Sequence, residues 1–150
     1  MAENKYVIFK LNEEHYGIDI MKVREVTDAK QSTKVPNTPS FVEGIINLRG
    51  DITPIINLKR KFMLPVNVVN DARVIVLSVN EKLVGFQVDD ASQVLTIEDS
   101  DIDAPPDIIT GEQRKYIQGI GKVDDRIVII LDLEKVLTDR EKEELANMES

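Results

Sequence analysis

Apolar residues in this chain recur in short runs and at alternate positions, the two-residue period of strands with one or both faces buried. Residues 6–11 (YVIFKL) and 16–20 read as two strands joined at Asn12-Glu13-Glu14, and residues 23–26 as a short third strand. Residues 28–40 are polar and hold Pro36 and Pro39, so they predict a loop. Residues 41–48 and 51–58 flank Arg49-Gly50, a second hairpin in which Gly50 can take a positive φ. Pro54 has no amide proton for a ladder, which places it at an edge or a bulge. Residues 59–64 predict a short helix. A second set of strands follows at 73–79, 83–88, 94–97, 116–123 and 126–133, with an acidic loop at 98–106. Residues 133–148 have helical composition, with Lys and Glu at i,i+4-type spacings.

The second set repeats the first. A shift of 68 lays residues 7–26 on 75–94, matching Asn12 to Asn80, Glu13 to Glu81, Gly17 to Gly85 and Val26 to Val94. A shift of 75 lays residues 41–62 on 116–137, matching Gly44 to Gly119, Ile45 to Ile120, Ile52 to Ile127, Ile55 to Ile130 and Leu58 to Leu133. Two blocks in the same order, each with a glycine in register, point to an internal duplication over approximately 6–62 and 74–137, with 138–150 as a C-terminal helical tail. Short strands with turn signals suggest two small β-lobes, about five strands each, sharing one hydrophobic core. The blocks differ at one turn: Arg49-Gly50 faces Asp124-Asp125.

Composition narrows the function. The 150 residues suffice for one ordinary domain with a real core. The absence of cysteine excludes disulfides, thiolate metal sites and a cysteine nucleophile, and fits a reducing compartment. A formal charge of −8 argues against a nucleic-acid partner. No apolar run approaches the roughly 18–20 residues of a membrane span, and Met-Ala-Glu-Asn-Lys lacks the start of a signal peptide. A soluble cytoplasmic chain, monomeric when free, is expected. The chain has one histidine, Gly119-Ile120-Gly121 lacks the third glycine of a phosphate loop, and no serine lies in a Gly-x-Ser-x-Gly context. No enzyme, cofactor or metal is expected. The one catalytic alternative, the carboxylates Glu43 and Asp51, rests on carboxylate abundance alone.

The remaining polar residues allow bland readings. His15 reads as a solvated or edge histidine, and Lys59-Arg60-Lys61 as a solvated helix face. The acidic loop lacks a calcium-binding pattern. Alternation would put Val23, Glu25 and Thr27 on one strand face and Arg24 and Val26 on the other, setting an apolar residue beside a carboxylate as exposed docking strands do. Arg49 at a hairpin tip reads as a surface charge, an ion pair between lobes, or a partner contact.

Residues 41–58, FVEGIINLRGDITPIINL, together with Tyr16-Gly17-Ile18-Asp19-Ile20, Val23-Arg24-Glu25-Val26, Asn37-Thr38-Pro39 and Val84-Gly85-Phe86-Gln87-Val88-Asp89, resemble the CheW family of bacterial chemotaxis coupling proteins. The resemblance runs from about residue 6 to about residue 137 and implies a single CheW-like domain over 1–150. It implies two intertwined five-stranded SH3-like β-barrels around a shared core, with a few short helices and no catalysis. It further implies an adaptor that joins the cytoplasmic tips of methyl-accepting chemoreceptors to the regulatory domain of a CheA-type histidine kinase, recruited to membrane-associated arrays without membrane insertion. A related non-chemotactic sensory array is the alternative. By position, Val23, Glu25, Gly44 and Arg49 match partner-binding positions of the family, and Ile20 lies in the same apolar stretch. Ala91, the repeat mate of Val23, is expected to line with it a groove between lobes that takes the receptor tip. The second turn, Asp124-Asp125, lacks the Arg-Gly signature, as expected if one lobe uses it.

Overall fold

The computed structural model describes residues 3–29, 31–67 and 71–148. Their elements, in chain order, are β1 (Glu3–Leu11), β2 (Glu14–Asp19), β3 (Val23–Asp28), β4 (Val42–Leu48), β5 (Asp51–Asn57), α1 (Leu58–Lys61), β6 (Arg73–Val79), β7 (Lys82–Val88), β8 (Asp90–Glu98), β9 (Ile102–Asp103), α2 (Glu112–Tyr116), β10 (Ile117–Val123), β11 (Arg126–Leu131) and α3 (Asp139–Met148). They form two curled sheets. The first lobe has the order β8-β1-β2-β11-β10-β9 and the second β3-β6-β7-β5-β4.

The sixth strand of the first lobe, β9, is two residues long and comes from a stretch that reads as loop. Helix α2 occupies residues ahead of β10 where the sequence offers no apolar period. The predicted C-terminal helix is two pieces, a 3-10 turn at Leu133–Lys135 and α3. Helix α3 begins with a reciprocal cap: the Glu141 amide donates to the Thr138 hydroxyl at 3.2 Å and the Thr138 amide to the Glu141 carboxylate at 2.8 Å.

Neither lobe is one repeat. The β1–β2 hairpin of the first repeat pairs in parallel with β11 of the second, and β5 of the first pairs in parallel with β7 of the second. Under the two shifts the registers correspond residue for residue. Ile130 opposite Gly17 maps onto Ile55 opposite Gly85, and Val7 opposite Val94 maps onto Ile75 opposite Val26. The register slip between Val42 and Gly44 returns between Ile117 and Gly119. The single bridge from Thr33 to Ile45 returns as the pairing of Asp103 with Ile120. Each lobe is closed by chain that wraps from one edge strand onto the other.

Pro54 opposes Ile45 of β4, while pairing with β7 starts only at Ile55. It therefore occupies the stretch where β5 still has a free edge, the position its missing N–H requires.

Alternation buries both faces of β1. Tyr6 and Ile8 join Ile97, Val128 and Ile130 inside the first lobe. Ile46, Leu48, Ile55, Val74 and Val76 fill the second. Val7, Phe9 and Leu11 face the other way, into a larger cluster with Ile18, Ile56, Ile75, Leu77, Phe86, Leu131 and Leu133 that draws on both sheets. The seam between the lobes is thus the main core, which holds the two together by apolar burial at about 25 cal/mol per Å².

Candidate partner-binding surface

The β4–β5 turn is built from Arg49 at φ 51° and Gly50 at φ 93°. Positive φ at both central residues is the two-residue hairpin turn whose twist matches its strands. The Asn47 side chain accepts the Gly50 amide at 2.8 Å and fixes the tip. Arg49, 72% exposed, is thereby held at the hairpin tip beside Glu25 of β3. Its guanidinium meets the Glu25 carboxylate with both terminal nitrogens, one of them at 3.2 Å, in a two-pronged pair. Glu25 is 25% exposed. Its hydrogen bond first, and its charge second, raise the Arg49 pKa above the ordinary value. Because β3 and β4 are the two edges of the second sheet, this pair spans the closure of the barrel. Of the three sequence readings of Arg49, an ion pair is found, but within one lobe and not between lobes.

Gly44 is set by backbone geometry. Its φ is +151°, and a Cβ there would stand 2.4 Å from the Thr33 carbonyl oxygen. The closing bridge requires that approach, so any side chain at 44 pushes the wrap off β4.

Ile20 reads as strand but begins a 3-10 turn, Ile20–Lys22, because the Asp19 carboxylate caps the chain by accepting the Met21 amide at 2.9 Å. Strict alternation fails in β3. The register slips between Val23 and Glu25, and Val23 and Val26 both pack on the shared core cluster instead of facing opposite ways. Ile20, Val23 and Ala91 are all half-buried against that cluster. Met21, beside them in sequence, is 86% exposed. The structure thus sets Ile20, Val23 and Ala91 on the shared seam, and Glu25 with Arg49 on the second lobe.

Other readings need correction. His15 is in β2, an interior strand between β1 and β11, and is half-buried rather than an edge residue. Its Nε2 is 3.2 Å from a guanidinium nitrogen of Arg126. Burial first, and then the Arg126 and Lys10 charges, lower its pKa from 6.5. The basic cluster is not a solvated face. Lys59 is buried at 4% exposure against Asp89, Arg60 reaches Glu43 at 3.5 Å, and Lys61 binds Glu141 of α3 at 2.9 Å. Lys61 also stands 4.8 Å above the Phe41 ring. Glu43 and Asp51 are kept apart, Asp51 opposite Leu48 at the turn and Glu43 toward the far end of the ladder, where it accepts from Asn57 at 2.7 Å. Among the described residues no group of three or more His, Asp or Glu side chains is arranged to hold a metal, and no helix is long and apolar enough to cross a membrane.

A family model for the CheW-like domain matches residues 5–141. The chain is 39% identical over 138 residues to a chemotaxis protein CheW of Klebsiella aerogenes, covering 91% of this chain and 83% of that one. It is 35% identical over 147 residues to a chemotaxis protein CheW of Treponema pallidum, covering 95% and 86%. In three dimensions it matches the crystal structure of the scaffolding protein TtCheW from Thermoanaerobacter tengcongensis with a TM-score of 0.84 and 37% identity, over 94% of this chain and 92% of that one.

Proposed function

The chain belongs to the CheW-like family of chemotaxis scaffolds, and from that premise we propose that it is a non-catalytic adaptor binding two partners at once. One is the regulatory domain of a CheA-type histidine kinase, the other the cytoplasmic tip of transmembrane chemoreceptors. It works in the cytoplasm, in arrays beneath the membrane. An adaptor of this kind couples its partners by favouring one of their relative arrangements, so receptor state is transmitted as geometry.

The observation that carries the proposal is the pairing of Glu25 with Arg49 on the closure of the second lobe. A two-residue turn, an asparagine cap and a two-pronged pair hold an exposed arginine in one orientation. Its repeat mate, Asp124, carries the opposite charge. Such ordering of an exposed guanidinium suits an interface anchor. Ile20, Val23 and Ala91 supply the apolar part of the surface, and their place on the seam suits a receptor tip lying between lobes. Gly44 contributes by letting the closing strand approach.

Titration calorimetry tests this with the wild type, Arg49→Ala and Glu25→Lys, each against a kinase regulatory domain and a receptor-tip fragment. The wild type is expected to bind both at micromolar or tighter affinity, and each variant to lose affinity for at least one partner while melting near the wild-type temperature. A wild type that binds neither partner overturns the proposal.

A further inference from the structure

Three polar side chains are buried among the described residues, Thr53, Asn57 and Lys59, and Lys59 alone of them carries a charge. It follows Leu58 in α1 and sends its ammonium 2.7 Å from one oxygen of Asp89, at the corner between β7 and β8. The other Asp89 oxygen accepts the Asn12 amide at 2.6 Å, and the Asp89 amide donates to the Lys10 carbonyl at 2.9 Å. Lys59 also reaches the Asn12 side-chain oxygen at 3.5 Å, and the Asn12 side-chain nitrogen donates to the Pro65 carbonyl at 3.2 Å. One node therefore ties the β1–β2 turn of the first lobe to α1 and the end of β7 in the second. Two residues beyond Asp89 the chain places Ala91.

The repeat-related corner is built differently. Asp89 maps onto Met21, Lys59 onto Glu134 and Asp90 onto Lys22. There Lys22 and Glu134 stand 3.9 Å apart, both about half exposed. One corner of the seam is locked by a buried lysine on a partly buried aspartate, and its mate is held by a solvated pair. A desolvated ion pair often contributes little net stability, and in some proteins its role is to select one geometry.

We infer that Lys59 and Asp89 are positioning residues for the partner surface. Their pair fixes the β7–β8 corner against the β1–β2 turn and so sets where Ala91 stands relative to Ile20 and Val23. This rests on the proposed receptor-facing role of those three residues.

The test removes the pair without leaving a buried charge, in the full chain carrying Lys59→Met with Asp89→Leu. Replacing a buried pair by apolar residues of similar volume is often neutral to stability, so position and stability separate. The variant is expected to unfold cooperatively near the wild-type temperature. It should bind a receptor-tip fragment at least about tenfold more weakly, a loss of about 1.4 kcal/mol, and exchange the amides of residues 91–93 faster. Wild-type affinity in the folded variant overturns the inference, whatever the exchange shows. If that variant does not unfold cooperatively, Lys59→Met with Asp89→Asn, which keeps an acceptor for the Asn12 amide, is measured in the same way and judged by the same outcomes. The exchange measurement needs no partner. A wild type that ignores the receptor fragment removes the functional reading, while unchanged exchange in the variant removes the positioning role.

Discussion

The two corners of the seam occupy equivalent places in the two repeats and are built from unlike chemistry. At the β7–β8 corner a buried lysine meets a partly buried aspartate, and the two share three further hydrogen bonds with their surroundings. At the 3-10 turn leading into β3, the related lysine and glutamate are both about half exposed, and Met21 beside them is exposed. The glycines differ in the same sense. A Cβ at Gly44 would meet backbone at 2.4 Å, whereas one at Gly119 would meet the Ile102 methyl at 2.7 Å and backbone only at 3.1 Å. Duplication kept register and apolar faces, which the backbone demands of both copies. Charge and tightness of closure were left free to diverge, and the candidate functional residues lie where they did.

The contrast between corners can be broken most severely from the locked side. Asp89→Ala alone leaves the Lys59 ammonium buried without its carboxylate and is expected to cost about 3–5 kcal/mol, read in urea unfolding. Glu134→Ala at the solvated corner is expected to cost no more than about 1 kcal/mol. Equal losses at the two sites would erase the distinction. Next in size is Gly44→Ala, for which backbone strain alone predicts about 1–3 kcal/mol and the contact with Thr33 adds more. Gly119→Ala should cost less, because an isoleucine side chain can shift and the glycine's φ is not in the positive region. A smaller stability effect is expected for Arg49→Ala, whose melting temperature should stay near wild type while partner affinity falls. Exposed pairs contribute little to folding, so a large drop in melting temperature would make the Glu25–Arg49 closure structural.

The smallest effect concerns His15. Its folded pKa lies below 6.5, so the unfolded chain takes up the proton first as pH falls. This contribution to stability is intact above about pH 6.5 and declines as pH drops through the window down to the folded pKa. Burial is the leading cause and Arg126 the second. An NMR titration of Arg126→Ala should therefore find the His15 pKa moved part of the way back up. An unmoved value would assign the shift to burial and Lys10 without Arg126.

The hairpins, the in-register glycines and the two-lobed β architecture were legible along the chain because they depend on local period and turn chemistry. The exchange of strands between lobes was not. Pairing β2 with β11 or with a strand of its own repeat satisfies the same alternation, and only three-dimensional closure decides between them. Lys59 was misread because three consecutive basic residues look solvated, and its burial depends on Asp89 and Asn12, which are distant in sequence. Val23 and Val26 share a face because one residue is bulged out of register, and alternation cannot reveal a bulge. Glu25 and Arg49 were each identifiable as candidates, but their contact across the barrel closure was not, since it joins opposite edges of one sheet.

The exchanged strands also bear on how the chain is made. His15 in β2 finds its parallel partner at Val128 in β11, more than a hundred residues later. When the first repeat has left the ribosome, Val7, Phe9 and Ile18 have no sheet of their own to complete, and they wait for strands not yet synthesised. Such long-range closure slows folding and leaves apolar surface uncovered meanwhile. Expressing either half alone should therefore yield an aggregation-prone fragment rather than a small barrel.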